Sequence, residues 1–276
     1  MEALIRRLVH GLSDSNIVVD ANVIRWASPI PSFGDPSRAR VASLGLNPSN
    51  REFEDIGGKE LDGPKRRFHT LGSLRINDWS EVRDNHLDMI LEKCRNYFLL
   101  GRNAFDIFFK PLDRILTDTG ASYYGPRADA CHLDLVPYAT KPKWAELGPS
   151  KQPILLCKAE KEKTLGELLR DSPIQLLVLN GASVVRNFQK MTRENATTGA
   201  ALSLTRVKMD DWTLRRRSGN VPGFAYSGVA NSLSGIPLNR ELKVLGFNHF
   251  VQFMPAANLS AVRNSMRAWV GLEAIA

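Results

Sequence analysis

Cysteine is scarce: Cys94, Cys131 and Cys157 are odd in number and far apart. No CxxC pair and no Cys/His ligand spacing accompany them, so nothing supports a disulfide framework, a zinc knuckle or an iron–sulfur cluster. Long apolar runs are missing too, and none approaches the roughly 20 residues of a membrane span. The start, Met1-Glu2-Ala3-Leu4-Ile5-Arg6-Arg7-Leu8, is too acidic and too broken for a signal peptide. These absences lead us to expect a reduced, cytoplasmic protein with no membrane partner. There is also no internal repeat, low-complexity tract or dividing linker. We therefore expect one domain over residues 1–276, with residues 1–39 a helical and loop-rich N-terminal extension, and a monomer.

What is present suits a soluble globular chain with ample core: 276 residues, 43% hydrophobic and 24% charged. The balance is basic, with 37 Lys and Arg against 29 Asp and Glu, a formal charge of +8. That favours an anionic partner such as nucleic acid.

Apolar periodicity predicts helices over residues 1–12, 82–100, 102–118, 158–171 and about 182–191, with a closing helix from Ala261 to Val270. Short buried strands are expected at Val41–Leu46, over Asp129–Tyr138 where the strand ends in an irregular segment, at Gln175–Leu179 and near His249–Phe253, and a hairpin over 202–227. Residues 50–80 are polar, without clear periodicity, and so are either functional or disordered. Strands alternating with helices argue for a mainly parallel sheet covered on both faces, a three-layer α/β/α arrangement.

In such sheets ligands bind beyond the carboxyl ends of the strands. The first strand stops at Asn47-Pro48-Ser49-Asn50. Pro48 fixes the backbone there and biases Asn47 away from helix, so a polar amide stands rigidly at the edge. The same four residues can equally be only a turn. The other strand ends also carry polar or turn residues: Asp134-Leu135-Val136-Pro137, Asn180-Gly181, and Met254-Pro255 through Ser260.

The order and spacing of these segments resemble the uracil-DNA glycosylase superfamily over roughly residues 40–270. Gly45-Leu46-Asn47-Pro48-Ser49 looks like its first motif, and Asp134 to Pro137 like the segment with the base-reading Asn. Leu177 to Gly181 resembles the strand between the active-site halves, and Met254 to Ser260 the last, minor-groove motif. The resemblance implies a central, mainly parallel four-stranded sheet and hydrolytic release of a flipped base, leaving an abasic site. It implies no metal or organic cofactor, and double-stranded DNA as partner. Asn47 would orient the attacking water, since an amide cannot be a general base. Gly45, Leu46, Pro48, Ser49 and Asn180 would line the base site.

Departures from the pattern narrow the expectation. The leaving-group His is Met254, and the Tyr that excludes 5-substituted pyrimidines is Ser49, a smaller residue. Asp134 stands where the family has Asn. A carboxylate accepts from the N4 amino group of cytosine, and a carboxylic acid could also donate to N3. The expected substrate is thus a modified cytosine, similar to that of prokaryotic antiviral glycosylases that remove glucosylated hydroxymethylcytosine from phage DNA. A uracil or mismatch-specific repair glycosylase, or a non-catalytic DNA-binding protein on the same scaffold, are alternatives. Asp134 can also be a structural cap, or the alignment can slip onto His132.

Leu259, between Asn258 and Ser260, matches the wedge that fills a vacated base stack. Phe68 is the expected stacking partner of the base, with Phe53, His69 and Trp79 as rivals. Lys65-Arg66-Arg67, Lys141 with Lys143, and Arg215-Arg216-Arg217 could neutralise phosphates, although charge runs are usually solvated faces.

Overall fold

The computed structural model describes residues 1–13, 19–99, 105–193, 204–216, 219–251, 262–264 and 267. Among the described residues, six strands form one open sheet in the order β2-β1-β3-β6-β5-β4. They are β1 (Val41–Gly45), β2 (Ala130–Asp134), β3 (Leu176–Asn180), β4 (Thr205–Arg216), β5 (Gly219–Leu233) and β6 (Ile236–Phe247). β2, β1, β3 and β6 run parallel, whereas β5 pairs antiparallel with β6, and β4 antiparallel with β5.

This corrects two expectations. The sheet is mixed and six-stranded, not a mainly parallel sheet of four. The assignment to the uracil-DNA glycosylase superfamily, which required that core, falls with it, as does the base flipping inferred from membership. Among the described residues the last strand is Ile236–Phe247 and His249 to Val251 are not strand; Gln252 and Phe253 of the expected strand lie outside the described residues. The physical reason lies in β6 itself. Its alternation of Ile236, Leu238, Leu242 and Val244 is interrupted by Asn239-Arg240-Glu241. Arg240 is nevertheless half-buried: its guanidinium donates to the carbonyls of Leu169 at 2.6 Å and Ile174 at 2.8 Å.

The helices are α1 (Glu2–Ser13), α2 (Leu71–Leu74), α3 (Asp84–Arg95), α4 (Asp106–Leu116), α5 (Gly148–Lys161), α6 (Thr164–Arg170) and α7 (Ala182–Arg193). The helix expected over 158–171 is broken in two. Lys163 takes a left-handed conformation (φ 54°) at the joint between α5 and α6. The closing helix expected from Ala261 to Val270 lies largely outside the described residues.

Side chains alternate across the sheet, as period-two geometry requires. Val41, Ala130, Leu176, Val178, Leu245 and Phe247 pack on one face with Phe109, Leu112 and Ile115 of α4. Ala42, Leu44, Cys131, Leu133, Leu177 and Leu179 pack on the other with α6 and α7. A third cluster joins α1, α3 and α5 around Val136 and Tyr138, just past the end of β2. Residues 50–80 are held in place through buried Phe53, Phe68 and Trp79, the last donating from Nε1 to the Arg25 carbonyl at 2.6 Å. Backbone bridges Val23–Thr140, Ala27–Thr70 and Phe33–His132 stitch the N-terminal stretch onto the same region. Among the described residues, no helix is long and apolar enough to cross a membrane.

Candidate functional site

Register decides what gathers at the carboxyl edge of the sheet. Ser43 pairs with His132 and Gly45 with Asp134, so all four stand on the face that carries Val41 and Ala130. On the next strand of the sheet, Asn180 ends β3 on that face too. The apolar face thus turns polar in its last two rungs. A cavity of about 680 Å³ opens there, within the usual size of a small-molecule site.

Gly45 makes the arrangement possible. A Cβ at this position would collide with Oδ1 of Asp134 and lie 2.9 Å from Nε2 of His132. Its missing side chain is the space those two groups occupy. Asp134 and His132 are both buried, with Nε2 of His132 3.5 Å from Oδ1 of Asp134.

Asn47 follows directly. Its Nδ2 donates to the Pro48 carbonyl (3.1 Å), the Tyr138 carbonyl (3.3 Å) and Oγ1 of Thr140 (3.0 Å). Thr140 is committed as an acceptor there because its own hydroxyl donates to the Pro142 carbonyl at 2.8 Å. Three acceptors around the nitrogen share its two hydrogens and fix the amide's orientation, and Asn47 lines the cavity. Ser49 accepts from the Arg51 amide and caps the turn over Asn50–Glu52, its small side chain at the cavity wall.

Sequence reasoning missed Glu52. It is buried, lines the cavity, and accepts from the Tyr97 hydroxyl at 2.7 Å and from Nε of Arg67 at 2.7 Å. Burial pushes its carboxyl up to about 7, against the lowering pull of Arg67 and Tyr97 and with a further small push from Asp134. A carboxyl that exchanges its proton near neutrality is suited to acid–base chemistry. The aromatic wall was missed as well: Phe33, Phe105, Phe108, Phe109 and Phe250 face the cavity. Phe250 is placed by the end of β3, where Asn180 Oδ1 accepts from the Val251 amide at 3.1 Å. Its ring also lies within 3.1 Å of where a Cβ on Gly181 would stand.

The residues expected from sequence therefore divide. Gly45, Leu46, Asn47, Pro48, Ser49, Asp134, Asn180 and Lys143 share the cavity. Phe68 does not: it is buried in the core, stacked on Tyr97 at 5.3 Å. Its rivals Phe53 and Trp79 are core residues as well, and His69 bonds to Ser73. Arg67 turns inward to Glu52, with its guanidinium 5.6 Å from the centre of the Phe105 ring, while Lys65 and Lys141 are exposed and Arg66 is half-buried. Arg215 and Arg216 belong to β4, but their side chains are not among those described. Arg217, Asn258, Leu259 and Ser260 lie outside the described residues. Among the described residues, no group of three or more His, Cys, Asp or Glu side chains is placed to hold a metal ion. No protein-family model matches the chain, and no curated protein matches it either.

Proposed function

We propose that this cavity hydrolyses the N-glycosidic bond of a cytosine-type nucleotide of DNA, releasing the base and leaving an abasic site. One juxtaposition carries the reading: Asn47, Glu52 and Asp134 line a single aromatic-walled cavity. Flat aromatic faces suit a nucleobase. Asp134, as an acceptor, suits the N4 amino group of cytosine and is mismatched to the O4 of uracil. The formal charge of +8, with Lys143 on the cavity wall, suits a polyanionic substrate.

In this scheme Oδ1 of Asn47 holds a water by one hydrogen, and ionised Glu52 takes the proton as the water oxygen bonds to C1′. The C1′–N1 bond breaks through an oxocarbenium-like state, and its electron pair leaves with the base. The departing base takes up a proton from solvent. The small side chain of Ser49 leaves room beside the ring for a 5-substituent.

Oligonucleotides carrying one cytosine, 5-substituted cytosine or uracil, single- or double-stranded, are incubated with protein and scored for alkali-labile sites. Labile sites at the cytosine-type positions are expected, falling about 10²–10⁴-fold in Glu52→Gln, the usual worth of a general base. Absence of labile sites on every substrate refutes the activity. Release from uracil alone refutes the role given to Asp134.

A further inference from the structure

Behind Asp134 lies a line of hydroxyl and imidazole groups that the scheme above does not use. Tyr123 OH is hydrogen-bonded to Ser43 Oγ, and Ser43 Oγ lies 2.5 Å from Nδ1 of His132. Nε2 of the same ring faces Asp134 Oδ1 at 3.5 Å. All four side chains are buried. The imidazole is wedged among Phe33, Phe108 and Phe109, with ring centres 5.2–5.9 Å away, so it has little freedom to turn.

We propose that Tyr123, Ser43 and His132 form a one-directional hydrogen-bond relay that aims an Nε2–H at Asp134. The relay fixes that carboxylate as the acceptor selecting an amino-bearing base. It deepens the reading of the cavity as a cytosine-type site and rests on it for the identity of the base.

Direction follows from counting hydrogens. Among the described residues Ser43 is the polar partner of the Tyr123 hydroxyl, so the phenol hydrogen points to Ser43. Were Ser43 to donate instead, that phenol hydrogen would be buried without an acceptor, a cost of roughly 1–3 kcal/mol. Burial keeps the phenol far above its ordinary ionisation range, so Tyr123 retains the hydrogen. Ser43 has a single hydrogen, and with its oxygen already accepting, that hydrogen goes to His132 Nδ1. The ring hydrogen then sits on Nε2, facing Asp134. A separation of 3.5 Å is long for the final bond, as expected of a site that tightens when substrate binds. Faced on one side by Nε2–H, Asp134 offers its other lone pairs to the cavity, where they meet a donor well and an acceptor badly. His132, Ser43 and Tyr123 are on this account positioning residues, with no contact to the reacting atoms required of Ser43 or Tyr123.

The test has two arms, both on the full chain. In the first, ¹⁵N NMR of histidine-labelled protein reads the tautomer of His132, its signals identified among the five histidines by their loss in His132→Gln. The expected signals are an acceptor-type Nδ1 and a hydrogen-bearing Nε2, giving way to a tautomer mixture in Ser43→Ala and Tyr123→Phe. A hydrogen on Nδ1 in the unmutated protein overturns the relay. In the second arm, the ratio of base release from a cytosine-type site over uracil is measured. Tyr123→Phe keeps the ring and loses only the hydroxyl. It is expected to lower the ratio about tenfold, the worth of one misaligned contact at a base edge. An unchanged ratio in both Tyr123→Phe and Ser43→Ala overturns the relay. If the unmutated protein releases no base at all, the glycosidase reading fails alone, and the NMR arm still decides the relay.

Discussion

Glu52→Gln separates the charge of this buried side chain from its shape, and the pH dependence of stability reads the difference. The Glu52 carboxyl is pushed from 4.5 up to about 7, chiefly by burial. Between those values the folded protein holds a proton that the unfolded chain has lost, so stability falls as pH rises. The contribution is absent below about pH 4.5 and complete above about pH 7, where it costs roughly 3 kcal/mol. Between pH 5 and pH 8 the change is about 2.5 kcal/mol, or roughly 4 °C in Tm for a chain of this length. Glutamine cannot accept from both Tyr97 and Arg67, so the variant is expected to be less stable at pH 5 by about 1–3 kcal/mol. That loss is the same at every pH, whereas the charge penalty vanishes. The gap between the two proteins should therefore shrink, or reverse, by about 2.5 kcal/mol from pH 5 to pH 8. Urea unfolding of both proteins at the two pH values measures it, and every other titrating group cancels in the comparison. A gap that stays constant within about 0.5 kcal/mol would refute the raised carboxyl and, with it, the proton exchange near neutrality assigned to Glu52.

The same carboxyl gives a kinetic expectation: base release should climb as pH passes about 7, where Glu52 ionises, and a pH–rate profile of Glu52→Gln should lack that inflection. Asp134→Asn exchanges a pure acceptor for a group that also donates, so the ratio of cytosine-type to uracil release should fall about 10–100-fold in parallel assays. Gly45→Ala puts a methyl where Asp134 and His132 now sit, and should cost about 1–3 kcal/mol in urea unfolding while lowering base release at least tenfold. Gly223→Ala meets the ring of buried Trp212 across the β4–β5 pair, on a strand two beyond β3 in the sheet. Calorimetry should show a loss of about 1–3 kcal/mol, with the per-folded-molecule rate unchanged.

Legibility in the sequence tracked how local the cause was. β1, β2 and β3 are short, fully buried runs; β1 and β3 could be located within a residue and β2 at its start, because nothing in them conflicts with burial. β6 was hidden because Arg240 reads as a solvent residue. Its half-burial depends on carbonyls at and just past the end of α6, about 70 positions earlier, which no window of sequence reveals. The basic triplet at 65–67 reads as one phosphate patch, yet its members separate. Lys65 is exposed, whereas Arg67 is bound to Glu52, a partner that stands 15 residues away. Glu52 itself looks like any acidic residue of a polar loop, and only Arg67 and Tyr97, 45 residues apart from it, make it a buried acid.

The cavity shows why its parts could nevertheless be named before its surroundings. Strand ends are punctuated by residues that break the ladder, and such residues are visible: Asn47-Pro48, Asp134 ahead of Pro137, and Asn180-Gly181. What punctuation cannot say is which face each side chain takes or how the sheet continues beyond them. Those are set by register, and one step of slip in β2 would send His132 and Asp134 to the face covered by α6 and α7. There they would be buried polar groups amid leucines, without the Ser43 hydroxyl or the empty space over Gly45. The polar groups thus themselves oppose the slip, since His132 has its Ser43 partner in the observed register. The same pairings that bring the site together help to fix how β1 and β2 align.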